Sequence, residues 1–138
     1  MANQTQRPDT ALHNTSHLMQ YHDLIESIVA AMDARDAYTA KHSDRVADMV
    51  LVLATALDLS EDETTLLHMA AHLHDIGKIA VPDSVLRKAG PLTNPEWEEM
   101  RRHPVTGYEI LRKVDDFKEI AVLVRHHHER WDGRGYPD

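Results

Sequence analysis

Residues 60–78 read SEDETTLLHMAAHLHDIGK, and the fold class follows from how this stretch starts, repeats and stops. Ser60 three residues before Glu63 is a capping-box pattern that begins a helix. Leu66, Leu67, Met69, Ala70 and Leu73 then recur at helical spacing, and Gly77 suits a C-terminal stop. A helix over this stretch ends in His74 and Asp75, two side chains able to ligate a metal.

The flanking segments repeat the same period. Upstream, Leu18, Tyr21, Leu24, Ile25, Ile28 and Met32 form one apolar stripe from about His17. Val46, Met49, Val50, Leu53, Ala54 and Leu57 form another on a helix beginning near Thr39 or His42. Downstream, Pro82, Gly90 and Pro91 make residues 79–92 a connection with one short helical turn. Thr93 and Asn94 before Pro95, and His103 before Pro104, signal two further helix starts. A last helix from about Asp116 carries Phe117, Ile120, Ala121, Val124 and His128 on one face. With no β-type alternation and no internal repeat, the class is all-α. Residues 1–16 are polar and aperiodic and are expected to be a flexible lead-in; residues 17–138 make one helical domain.

Composition narrows the function. The 138 residues contain no cysteine, so a metal site here uses imidazole and carboxylate ligands, and a reducing, cytoplasmic setting is expected. No apolar run approaches the roughly 20 residues that span a bilayer. The formal net charge of −8 repels a polyanionic duplex, which argues against broad nucleic-acid binding. A small anionic substrate stays compatible, because divalent ions reverse the local potential in a cleft. Eleven histidines in so short a chain are the outstanding compositional feature.

Helical geometry sorts these histidines. His74 follows Ala70, Ala71 and Leu67 by four, three and seven residues, so it faces the core at the helix end. His72 falls on a polar face with His68 and Thr65, which reads as solvated surface, although the i, i+4 pair has metal-binding spacing. Lys78, one turn after Asp75, can bring an ammonium to a substrate phosphate; the plainer reading is a C-terminal cation favoured by the helix dipole. In His126-His127-His128, successive side chains differ by about 100°. Val124 marks the inward direction, so His127 and His128 are the site candidates and His126 lies off that face. His42 and His103 stand at predicted helix starts, where either alone would be an ordinary cap or core histidine. Converging in a helical bundle, several such imidazoles can make a two-metal site.

The segments DAYTAKHSDRVA, HLHDIGKIAVPDSVL, HPVTGYEIL and HHHERWDGRGYP, in this order over residues 36–138, resemble the HD-GYP family of metal-dependent phosphohydrolases. The resemblance implies a helical HD-domain bundle holding two divalent ions, iron or manganese, with zinc or nickel as alternatives. It implies hydrolysis of cyclic di-GMP to the linear dinucleotide or to GMP. Matched residue by residue, the metal ligands would be His42, His74, Asp75, His103, His127 and His128, with Asp75 bridging the ions and Lys78 contacting phosphate. A water activated between the ions would attack phosphorus in line.

Three departures qualify the match, the mildest being Arg134 in GRGYP, where serine is frequent, which adds a cation close to the signature. Three-metal members carry a glutamate four residues before the first histidine, where this chain has Tyr38, which points to a two-metal site. The family also has a further helical region with another aspartate ligand beyond the position of Asp138. The bundle is therefore expected to be truncated on its C-terminal side, with weak or absent turnover and exposed apolar surface that favours a homodimer or helix-exchanged oligomer. The competing functions are a general HD phosphohydrolase acting on nucleotides or other small phosphate esters, and a non-catalytic, metal-stabilised signalling or docking module.

Overall fold

A computed structural model describes residues 15–36 and 41–138. A 3-10 helix, Thr15–Tyr21, leads into α1 (His22–Arg35), followed by α2 (His42–Ala56) and α3 (Glu61–Leu73). A 3-10 turn at Ile76–Ala80 and the short α4 (Asp83–Leu86) lead to α5 (Asn94–Arg101) and α6 (His103–Leu111). A 3-10 turn at Asp115–Phe117 then runs into α7 (Lys118–His126). The described residues contain helices and no strand, so the architecture is the all-α bundle expected. None of these helices is long and apolar enough to cross a membrane. The expected lead-in falls mostly outside the described residues, as does Tyr38.

Helix α3 is the central element, contacting α1, α2 and α7. Its start is the capping box read from sequence: Ser60 Oγ accepts from Glu63 N at 3.2 Å, and Glu63 Oε2 accepts from Ser60 N at 2.9 Å. Leu18, Ile25 and Val29 close over Met69, Ala70 and Leu73 on one side, with Phe117, Ile120 and Val124 on the other. Tyr21 meets Phe117 edge to face at 5.2 Å and donates its hydroxyl to Asp116 Oδ2 at 3.1 Å, tying the chain's first described turn to the start of α7.

Three expectations change. In α1 the buried positions are Ile25 and Val29, while Leu24 and Ile28 are exposed, because only one edge of the predicted stripe reaches α3. In α2 the buried face is Ser43, Ala47 and Ala54, and Met49, Leu53 and Leu57 point to solvent. Small side chains let α2 lie close against α3, and the large apolar residues form an exposed row. Gly77 does not stop α3, which ends at Leu73; it sits in the 3-10 turn packed on α6.

That turn is held from both sides. A Cβ on Gly77 would lie 1.8 Å from the His103 carbonyl oxygen and 2.6 Å from the Gly107 nitrogen, so no side chain fits there. From the other side, Arg35 donates to the carbonyls of Lys78 (3.1 Å), Ile79 (2.7 Å) and Val81 (2.6 Å), and its Nε to Asp83 Oδ1 (3.0 Å). These bonds satisfy backbone acceptors that a tight, non-helical segment would otherwise leave unpaired. Gly77→Ala is expected to destabilise the protein by about 1–3 kcal/mol or more through overpacking. An unchanged urea midpoint would show that α6 does not approach the turn as described.

Candidate metal centre

The six residues singled out as ligands converge where α3, α6 and α7 meet the start of α2. His42 opens α2, His74 caps the C-terminus of α3, and His103 opens α6. His127 caps α7 and His128 follows it, so the paired histidines stand just past the helix end rather than on its face. His126 turns away as expected: it is exposed, and its Nε2 lies 2.9 Å from Asp138 Oδ2.

The ligand atoms form two groups, His42–His74–Asp75 and His103–His127–His128, each with its donors within 4.8 Å of one another. Asp75 joins them. Its Oδ2 is 3.2 Å from His74 Nε2, and its Oδ1 is 3.4 Å from His103 Nε2. The Lys78 ammonium pairs with Oδ2 at 2.8 Å.

Three of the imidazoles are oriented by the same device. His74 Nδ1 lies 2.7 Å from the Ala71 carbonyl, His103 Nδ1 2.7 Å from Met100, and His127 Nδ1 2.7 Å from Val124. A carbonyl only accepts, so each Nδ1 must carry the proton; in His103 and His127, which burial keeps neutral, this leaves a bare lone pair on Nε2. Backbone bonds of this kind fix tautomer and ring angle in metal-ligating histidines. The Nε2 atoms of His103 and His127 face each other at 3.3 Å. Two neutral acceptors at that distance repel, and a shared cation converts the repulsion into attraction. The donor set therefore fits divalent metals with nitrogen and oxygen preference.

Electrostatics favours the ligating forms of His103, His127, His128 and Asp75, and the protonated form of His74. Burial pushes His103 down to about 4, and the same cause brings His127 to about 4. Burial also lowers His128. Burial raises Asp75, but the hydrogen bond and charge of His74, together with Lys78, outweigh it and hold the carboxyl well below the usual carboxylate range. For His74, burial works against the charged form, yet the bond and charge of Asp75 raise it on balance.

The GYP segment forms one wall. A Cβ on Gly135 would fall 2.5 Å from the Arg130 nitrogen and 2.6 Å from the His128 carbonyl oxygen, so only glycine lets the chain return this closely to the end of α7. The return stacks Tyr136 on His128, with ring centroids 4.7 Å apart and planes at 19°. The Arg101 guanidinium lies over the Tyr136 ring, 5.7 Å from its centroid.

Sequence reasoning missed Arg35 and Asp36. Arg35 holds the Lys78 segment, and Asp36 is buried on the wall of a cavity that also touches Asp75 and Lys78. Two adjacent charges at the end of an amphipathic helix were the available signal, and they read equally well as surface.

A family model described as HD domain matches residues 21–138. The chain belongs to the HD domain family, in its HD-GYP branch. It is 43% identical over 118 residues to the cyclic di-GMP phosphodiesterase response regulator RpfG of Xanthomonas campestris pv. campestris, covering 84% of this chain and 31% of that protein. It is 41% identical over 121 residues to 3'3'-cGAMP-specific phosphodiesterase 2 of Vibrio cholerae, covering 84% of this chain and 23% of that one. A cyclic di-GMP phosphodiesterase of Thermotoga maritima is 38% identical over 117 residues, covering 83% and 32%. This HD-GYP chain thus spans about a third or less of the length of these relatives.

The lowered His103 and His127 values set a pH dependence for the metal-free protein. The unfolded chain binds protons at these histidines below about 6.5, whereas the folded chain resists them down to about 4. The contribution of these two histidines to stability is therefore complete above pH 6.5 and is lost as pH drops from 6.5 toward 4. Urea unfolding of chelator-treated protein across this window should show the decline, with a shallower slope in His103→Gln. Equal slopes in both proteins would contradict the assignment.

Proposed function

We propose that this domain is a two-metal phosphodiesterase acting on cyclic dinucleotides, with cyclic di-GMP as the leading substrate. The observation that carries the reading is the Asp75 carboxylate, which reaches toward a ring nitrogen of each ligand group at 3.2 and 3.4 Å. In this reading His42 and His74 would hold one ion and His103, His127 and His128 the other, with Asp75 shared between the two groups. Such ions supply Lewis acidity for phosphate and lower the pKa of water toward neutrality. Iron and manganese fit an imidazole-rich set completed by carboxylate and water; zinc and nickel fit it as alternatives.

The chain's own residues do the rest. Lys78, whose ammonium pairs with Asp75 Oδ2 in the structure, would be the residue that contacts the substrate phosphate. Nδ1 bonds to backbone carbonyls hold His74, His103 and His127 in the ligating tautomer without reorganisation. The stack of Tyr136 on His128 keeps that ring in place. A cyclic dinucleotide is favoured over a general nucleotide substrate by the GYP segment folded against the metal ligands and by the names of the relatives, which specify cyclic di-GMP or 3'3'-cGAMP.

Elemental analysis of protein purified anaerobically tests the site, because metal content reports the ligands directly. Asp75→Ala and His74→Ala should each lose metal and lower cyclic di-GMP hydrolysis at least ~100-fold, beyond the 10–100-fold typical of residues that only support ligands. Lys78→Ala should keep its metal while losing turnover. Unchanged metal in both ligand variants would reject the centre. Faster hydrolysis of nucleoside mono- or triphosphates than of cyclic di-GMP would move the substrate to the general phosphohydrolase class.

A further inference from the structure

A second group of histidines lies outside the Asp75 centre. His68 and His72, one turn apart on α3, meet His22 at the first position of α1. One ligand nitrogen from each lies within 4.8 Å of the other two. The ring centroids are 4.7 Å apart for His68 and His72, 5.5 Å for His22 and His72, and 5.8 Å for His22 and His68.

The helical pattern assigns His68 and His72 to a solvated face, and the structure overturns this for His72, which is only 5% exposed. The reason is tertiary: α1 and α2 both pack on α3 and cover that face. His72 Nδ1 is buried and has no hydrogen-bond partner, the nearest acid being Asp44 Oδ1 at 3.6 Å. A buried imidazole nitrogen without a partner loses its hydration for nothing in return, and native structures rarely leave one so. A cation ligated at that nitrogen would end the cost.

Two further features point to a ligand. His68 Nδ1 lies 3.3 Å from the Ala47 carbonyl, which accepts its proton and leaves Nε2 bare, the same device that orients the Asp75-centre histidines. Carboxylates flank the group: Asp44 beside His72, and Glu26, whose Oε1 is 3.7 Å from His22 Nδ1. Three imidazoles and a carboxylate, with no thiolate, are a donor set for a borderline divalent ion in tetrahedral geometry.

We propose that His22, His68 and His72 form a second metal site, separate from the Asp75 centre, that takes one zinc-class divalent ion with a carboxylate of Asp44 or Glu26 as fourth ligand. The ion joins α1 and α3 directly, and α2 through Asp44 or through the His68–Ala47 bond. Its role is structural. By binding only the folded chain, it clips α1 to the centre of the bundle.

Zinc alone is the probe, applied to the full chain by equilibrium dialysis and elemental analysis. The wild type should bind one equivalent more than the double variant His22→Gln/His68→Gln, and Asp75→Ala should leave that equivalent in place. Zinc should raise the melting temperature of Asp75→Ala by several degrees, and the shift should vanish when the two glutamines are added. Equal zinc content in wild type and double variant overturns the site. Should the double variant not fold by circular dichroism, anomalous diffraction at the zinc edge from zinc-soaked wild-type crystals decides. A peak bounded by the three rings supports the proposal, and none there overturns it.

Discussion

The close approach of the Ile76–Ala80 turn to α6 is the constraint on which the site depends. Gly77 is in van der Waals contact with the backbone of His103 and Gly107, where even a methyl group would not fit. This contact carries Asp75, two residues earlier, to within 3.4 Å of His103 Nε2 and so connects ligand groups separated by 28 or more positions in sequence. Arg35 reinforces it from the opposite side by gathering the turn's carbonyls onto one guanidinium. Bundle and site are thus parts of the same packing problem: moving the turn would separate Asp75 from His103.

Within that frame, the electrostatics depend on backbone as much as on side chains. Each Nδ1-to-carbonyl bond is local, spanning three residues at a helix end, and it decides which nitrogen of the ring is available. Burial then keeps His103 and His127 neutral near pH 7. The Asp75 carboxylate charge is paired in the structure with the Lys78 ammonium, inside a protein of net charge −8.

Legibility from sequence varied with how local each feature was. The capping box of α3, the starts of α5 and α6, and the inward direction of His127 and His128 all rest on neighbours within a turn or two, and all were readable. The buried face of α2 was misread because hydrophobicity marks residues that gain from burial and not those small enough to permit close packing; Ser43, Ala47 and Ala54 line the contact, and Met49 and Leu53 do not. His72 was misread for a related reason. Its helix face is polar, and only the arrival of α1 and α2 buries it.

By itself the sequence determined an all-α domain, the six histidine and aspartate positions of the candidate centre, and the HD-GYP resemblance, because residue type, helical period and motif order are properties of the linear chain. Tertiary structure alone decided that Asp75 stands between two ligand groups, that Gly77 is a contact residue rather than a helix stop, that Arg35 holds the turn, and that His22 joins His68 and His72. Each of these requires segments tens of residues apart to meet at van der Waals distance, and a helical period specifies which face is apolar without specifying what will cover it.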